Sequence, residues 1–269
     1  MGGAPVAIAL SNVAISFVLV DGNRYDAVSP SSLSVKAGEF VAIVGPTGCG
    51  KSTLLNAAAG LLEPSAGSVT ILGKPLSGLN KEAGYLFQQD ALMPWKTARD
   101  NVAIGLEVAG VPRKEAIAKA ETMLIRVGLK AFMDRYPHQL SGGQRKRVAL
   151  AQVLVREPKI LLMDEPFGPL DAQTRLIMGE LLLGLWQADR KAVLFVTHDL
   201  DEAISLADRV IIMSAGPAAK IIGDFPIAIE RPRDIAEVKA DPRFHQLHAR
   251  IWAALRDEVR KTYSFEDAA

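Results

Sequence analysis

The sequence predicts an α/β fold: a mostly parallel sheet, an N-terminal antiparallel β-layer and a helical insertion. Three observations carry this reading: short apolar runs alternating with helical stretches, a glycine-rich turn between the first wholly apolar run and a helix, and a central interval with no strand pattern. The chain has 269 residues, 49% hydrophobic and 23% charged, enough to close a core without disulfide or metal staples. Lys+Arg 31 against Asp+Glu 30 leaves a net charge of +1, so no overall field draws nucleic acid. The single Cys49 cannot form an internal bridge, the four His show no zinc-ligand spacing, and a reducing compartment is expected.

The start, Met1-Gly2-Gly3-Ala4-Pro5-Val6, lacks a basic leader segment, and Val6 replaces the Ser/Thr of a myristoylation site, so neither secretion nor lipid anchoring is expected. Val6–Val20 is β-rich and ends in the turn Asp21-Gly22-Asn23, and Leu33–Val35 runs to a second turn at Lys36-Ala37-Gly38. Phe40–Val44 is continuously apolar, as a strand buried on both faces requires, and a helix follows over Lys51–Leu61. Runs at Ser68–Leu72, Gly84–Phe87, Ile160–Met163, Ala192–Thr197 and Arg209–Met213 are expected to build the rest of the largely parallel sheet. None approaches the roughly 18–20 residues of a membrane span.

Between Ala91 and Arg156, the stretches Ala98–Val108, Arg113–Val127 and Gly142–Arg156 read helical, with Thr97 and Asp100 in capping-box spacing and Gly128 as a stop. Past Gly216, a strand at Lys220–Ile222 gives way to prolines and an amphipathic helix over Phe244–Lys261. The expected organisation is one domain over 1–269: a core of about 1–90 and 157–215, a helical subdomain of about 91–156, and a tail of about 216–269.

Gly45, Pro46, Thr47, Gly48, Cys49, Gly50, Lys51 and Ser52 fit G-x-x-x-x-G-K-[ST] between a buried strand and a helix that continues through Thr53. Small residues let backbone N–H groups curl around a polyphosphate, Lys51 adds a charge near the β- and γ-phosphates, and Ser52 offers a hydroxyl to Mg²⁺. The α/β core is therefore expected to be a P-loop NTPase. Cys49 reads as a loop filler, since nothing nearby in sequence supplies it a base. Asp164 and Glu165 follow an apolar strand, at the sheet edge where such folds bind ligands. Asp164 is expected to hold Mg²⁺ through water, and Glu165 to act on the attacking water as base or orienter. Leu140-Ser141-Gly142-Gly143-Gln144 places a hydroxyl and two glycines at a second helix start, again suited to phosphate. Arg145-Lys146-Arg147 reads as a solvated basic face, not a nucleic-acid site.

With these motifs in this order over about residues 7–260, the sequence resembles the ATP-binding subunits of ABC (ATP-binding cassette) transporters, whose signature is the Leu-Ser-Gly-Gly-Gln run. The resemblance implies further roles. Gln88 matches the loop glutamine that touches Mg²⁺ and water, and His198 the switch histidine at the γ-phosphate. Asp171 matches a loop crossing the dimer interface, although Pro169 departs from the family pattern there and removes an N–H. Phe17 stands where an adenine-stacking aromatic belongs, with Tyr25 as second choice. Leu92-Met93-Pro94-Trp95 resembles a run in importers of nitrate, taurine and aliphatic sulfonates, although Trp95 alone could equally be buried packing.

The resemblance also implies ATP and Mg²⁺ as ligands and a head-to-tail pair with a second copy or a paralogous ATPase subunit. Each ATP would lie between Lys51, Ser52 and Gln88 of one chain and Ser141, Gly143 and Gln144 of the other. The pair would dock at the cytoplasmic face of the membrane on transmembrane permease subunits served by a periplasmic or lipid-anchored binding protein. The competing readings are a non-transport ABC ATPase and the ATPase of an exporter or lipid-trafficking system.

Overall fold

The computed structural model describes residues 4–266, so Met1–Gly3 of the N-terminal reading lie outside the described residues. Strands β1 (Val6–Val18) and β2 (Arg24–Lys36) form a long antiparallel hairpin. Its turn is closed by Leu19 N–H to Asn23 O at 2.8 Å and by Asp21, whose carboxylate accepts from Asn23 N–H at 2.9 Å. β3 (Phe40–Val44) follows, then α1 (Lys51–Ala59), β4 (Ala66–Ile71), β5 (Lys74–Pro75) and β6 (Ala83–Leu86). Helices α2 (Ala98–Val108), α3 (Arg113–Arg126) and α4 (Gly142–Leu154) come next. The order then runs β7 (Ile160–Asp164), α5 (Ala172–Ala188), β8 (Ala192–Val196), α6 (Leu200–Leu206), β9 (Arg209–Met213), β10 (Ile221–Pro226), α7 (Ile235–Val238) and α8 (Pro242–Glu266).

Two sheets result, ordered β2-β1-β4-β5 and β10-β9-β3-β8-β7-β6. In the second, β9, β3, β8, β7 and β6 are parallel, and β10 pairs antiparallel at the edge. β3 shows why its sequence is apolar throughout: Phe40, Ala42 and Val44 face a core shared with α2–α6 and α8, while Val41 and Ile43 face a second core shared with α1 and the antiparallel sheet.

Two expectations need correction. The run at Ser68–Leu72 is not in the parallel sheet; it is β4, antiparallel to β1 with Ile8 opposite Ile71. Its Ser-Val-Thr-Ile alternation, with Val69 and Ile71 buried and Ser68 exposed, is the period of a strand buried on one face only. β10 also continues through Pro226 rather than ending before it, because an edge position needs no donated ladder bond.

The tail is tied to the core. Phe244, Leu247, Ile251 and Leu255 form the buried stripe of α8. Arg233, itself buried, donates to the carbonyls of Ala207 at 2.7 Å and Ile229 at 2.8 Å, while Arg231 donates to Leu206 O at 2.6 Å and lies 4.2 Å over the Trp186 ring. These guanidinium groups take up the carbonyls of Leu206 and Ala207 at the end of α6 and tie them to the segment after β10. Burial lowers the Arg233 pKa to about 10, which still leaves it charged at neutral pH.

Candidate functional site

The chain leaves β3 at Val44 and turns through Gly48 (φ 76°) and Gly50 (φ 93°), left-handed conformations that a side chain would strain. Gly50 is the N-cap of α1 and contributes no side-chain cap, so the first N–H groups of the helix remain open toward the loop. Lys51, 5% exposed, curls back and donates to Gly45 O and Pro46 O, each at 2.9 Å. Those two partners are neutral, and the opposite charge that feels the ammonium is the Asp164 carboxylate. Cys49 is buried and burial pushes its thiol up, as suits a filler and not a nucleophile. Thr47 and Gly48 are exposed at the loop rim.

The first hydroxyl of α1 meets the end of β7: Ser52 Oγ donates to Asp164 Oδ1 at 2.7 Å. Burial raises the Asp164 pKa and the Glu165 charge adds to it, against the Ser52 bond and the Lys51 charge, which lower it. Glu165 sits at φ 41°, a strained conformation for a non-glycine residue, held by its N–H to Val196 O at 2.9 Å. One carboxylate oxygen, Oε2, accepts from Gln88 Nε2 at 3.4 Å and lies 3.2 Å from His198 Nδ1. Three parallel strands thus bring Gln88, Glu165 and His198 together at the ends of β6, β7 and β8, with Asp164, Ser52 and Lys51 alongside.

The second glycine-rich helix start differs. Ser141 Oγ accepts from Gln144 N–H at 3.2 Å, and Gln144 Oε1 accepts from Ser141 N–H at 2.9 Å, a closed capping box. A Cβ on Gly143 would lie 2.5 Å from Thr174 Cγ2, so close packing against α5 demands glycine there. Asp171 caps α5, accepting from Thr174 N–H at 2.9 Å and Thr174 Oγ1 at 2.6 Å. Its carboxylate is therefore engaged within its own helix, two residues beyond Pro169. A cleft of about 580 Å³ is lined by Gln88, Glu165, His198, Pro169, Gly142 and Lys146, among others; neither Lys51 nor Ser52 lines it.

Phe17 and Tyr25 lie directly opposite each other on β1 and β2, 39% and 38% exposed. Cross-strand partners share a face, so the two candidates for an adenine stack form one aromatic edge. Trp95 is 73% exposed, which removes the buried-packing reading. The loop before it is organised by buried Asn101, which donates to Met93 O and Lys96 O and accepts from Met93 N–H.

The basic run at Arg145–Arg147 is not a solvated face. Lys146 is 1% exposed, with its ammonium 3.0 Å from Gln88 O and 3.0 Å from Asp90 Oδ1. Sequence reasoning missed it although the signal was present: Gly143, Lys146, Leu150 and Leu154 follow the 3–4–4 spacing of a buried helical stripe. The burial of Glu202, in a run that resembles the same importers as the Trp95 run, is not foreseen from the sequence. The Glu202 carboxylate is held by Thr197 Oγ1 at 2.7 Å, and burial is the main cause raising its pKa to about 7.

A model of the ABC transporter family matches residues 28–168. The chain is 46% identical over 242 residues to the uncharacterized ABC transporter ATP-binding protein MJ0412 of Methanocaldococcus jannaschii, covering 90% of this chain and 89% of that protein. It is 44% identical to the taurine import ATP-binding protein TauB of Pseudomonas aeruginosa, covering 92% and 94% of the two chains, and 42% identical to TauB of Escherichia coli, covering 86% and 91%. Among solved structures, the ATP-binding cassette MJ0796 in a dimeric post-hydrolysis state bound to ADP and Pi is similar, with a TM-score of 0.73 and 32% identity, covering 83% of this chain and 100% of that one. The chain belongs to the ABC transporter family, as one of its ATP-binding, ATP-hydrolysing subunits. Among the described residues, no helix is long and apolar enough to cross a membrane.

Proposed function

We propose that this chain powers a solute importer as a head-to-tail pair of ATPase subunits docked on two transmembrane permease subunits at the cytoplasmic face of the membrane. Cargo arrives on a separate binding protein, and it is nitrate, a sulfonate, taurine or a related compound. The relatives named as taurine import ATP-binding proteins support the taurine member of that group.

The observation that carries the pair is the difference between the two glycine-rich helix starts. The P-loop start is uncapped and holds Lys51 on neutral carbonyls, but it supplies ligands for one side of a triphosphate only. The signature start is closed on itself, and the cleft that Gly142 lines includes neither Lys51 nor Ser52. A second copy presenting its Ser141 turn to the first copy's nucleotide gives both starts a phosphate. ATP then favours the closed pair because only that state makes both sets of contacts; the cassette MJ0796, which this chain resembles, is dimeric with ADP and Pi bound.

Within one site, Gly45–Thr53 wraps the phosphates, with Lys51 shifting its ammonium from the loop carbonyls to the β- and γ-phosphate oxygens. Ser52 Oγ and Asp164 Oδ1, 2.7 Å apart, are hard oxygen donors of the type Mg²⁺ takes, with Gln88 as a further oxygen donor. Bound Mg²⁺ would neutralise charge on the phosphate oxygens. Glu165 takes the proton of the attacking water, while His198 holds the same carboxylate oxygen in place and reaches the γ-phosphate. Phe17, with Tyr25 beside it, stacks on adenine, and Asp171 approaches the partner across the interface. Loss of the γ-phosphate releases the pair, and that cycle drives the permease between its two openings.

Glu165→Gln tests this directly. Phosphate release should fall about 10²–10⁴-fold while nucleotide binding persists and the ATP-loaded protein elutes as a dimer. Near-normal turnover would remove Glu165 from its role, and a strictly monomeric ATP-loaded sample would remove the pair.

A further inference from the structure

We propose that Lys146 is a positioning residue linking the two nucleotide sites of the pair, by tying the signature turn that grips the partner's ATP to Gln88 of its own site. This rests on the head-to-tail reading above. Lys146 leaves the first turns of α4 on the buried stripe, and its ammonium reaches Phe87 O at 3.3 Å, Gln88 O at 3.0 Å and Asp90 Oδ1 at 3.0 Å. Two of its N–H groups donate to main-chain carbonyls of the glutamine loop, and the Asp90 carboxylate, at ion-pair distance, supplies the counter-charge that burial of an ammonium requires.

The same carboxylate reaches the other side of the signature. Asp90 Oδ2 faces Arg145 Nε at 3.6 Å, and Arg145 donates to Leu140 O at 2.7 Å, the residue immediately before Ser141. Two neighbouring cations of α4 therefore hold one loop, and that loop carries the amide that reaches Glu165 Oε2 at 3.4 Å. An α-helical turn is stiff over five residues, so when a phosphate replaces the capping box at Ser141, displacement of the turn is passed through Lys146 to the Gln88 backbone. The signature has two arrangements, closed on itself and bound to phosphate, and Lys146 makes the choice at one site felt at the other. A methionine at 146 would keep the apolar stem, leave Phe87 O and Gln88 O without that donor and remove the ion pair to Asp90.

The test uses the full chain with Mg-ATP. In the Glu165→Gln background, ATP-driven pairing is measured first by size exclusion. In the catalytically competent background, Lys146→Met should keep monomer nucleotide affinity and the KM for ATP within about twofold, lower kcat about tenfold, and bring the Hill coefficient for ATP from above 1 in the wild type to about 1. Lys146→Arg, which keeps charge and donors, should recover part of both. Asp90→Asn should move kcat and cooperativity in the same direction by a smaller factor. A wild type without cooperativity, or wild-type kcat and Hill coefficient in both Lys146→Met and Asp90→Asn, overturns the role. If Lys146→Met fails to fold, as thermal unfolding would reveal, the Asp90→Asn result decides alone. A Glu165→Gln chain that stays monomeric with ATP strikes the pair itself, whereas a chain that pairs but shows uncoupled wild-type kinetics strikes only Lys146.

Discussion

Helices α1 and α4 both start on glycines and both bury a lysine in their opening turns, yet their N-termini are in opposite states. At α1 no side chain caps the helix, and Lys51 is bonded only to the carbonyls of its own loop. At α4, Ser141 and Gln144 satisfy each other's backbone N–H, and Lys146 is hydrogen-bonded to a different loop and ion-paired with a carboxylate. The first leaves its opening N–H groups uncapped, as an anion site requires. The second is a closed joint that, in the proposed pair, a phosphate would have to open at a cost of about one capping interaction, ~1 kcal/mol.

The sharpest way to break that contrast is to compare Lys51→Met with Ser141→Arg. The first should weaken nucleotide binding by the monomer and lower turnover by about 10³-fold or more, since it removes a full charge from the phosphate cradle. The second should abolish hydrolysis equally while leaving monomer nucleotide binding unchanged. Nucleotide titration of monomeric protein, alongside phosphate release, separates the two; loss of monomer binding in Ser141→Arg would mean the signature acts within its own chain.

A smaller effect is expected from Gly143→Ala, whose added methyl would meet Thr174 Cγ2 at 2.5 Å. Denaturant unfolding should register a loss of about 1–3 kcal/mol, recovered in part by Thr174→Ser, which removes the obstructing methyl and keeps the hydroxyl that donates to Asp171. No recovery would mean that the glycine is required for some other reason than this contact.

A third helix start extends the comparison. α6 is capped by the Asp199 carboxylate, and Glu202 lies in its first turn beside Arg175 and Thr197. Burial raises the Glu202 pKa from 4.5 to about 7, so the native state holds a proton that the unfolded chain releases. Its contribution to stability therefore falls as pH rises from about 4.5 to about 7 and is constant above that. Glu202→Gln should lack this decline. Melting temperatures at pH 5 and pH 8 should lie closer together in the variant than in the wild type, and an unchanged pH dependence would refute the assignment.

The glycine-rich turn before α1, the Asp164–Glu165 pair at the end of β7, the Ser141 helix start and all three insertion helices are legible along the chain, because each rests on local chemistry: a buried strand is apolar on both faces, a helix start needs a cap, and a tight turn needs small residues. Local pattern could not say which sheet a short apolar run joins, so β4 was assigned to the wrong one, although its alternating Ser-Val-Thr-Ile carried the correct answer. The destination of Lys146, the sharing of one aromatic edge by Phe17 and Tyr25, and the convergence of Gln88 and His198 on a single oxygen of Glu165 were decided by tertiary structure alone. The physical reason is range. Propensity, capping and period act over a few residues, whereas the partner of a buried charge is set by whichever distant segment the packed core brings within about 3 Å of it.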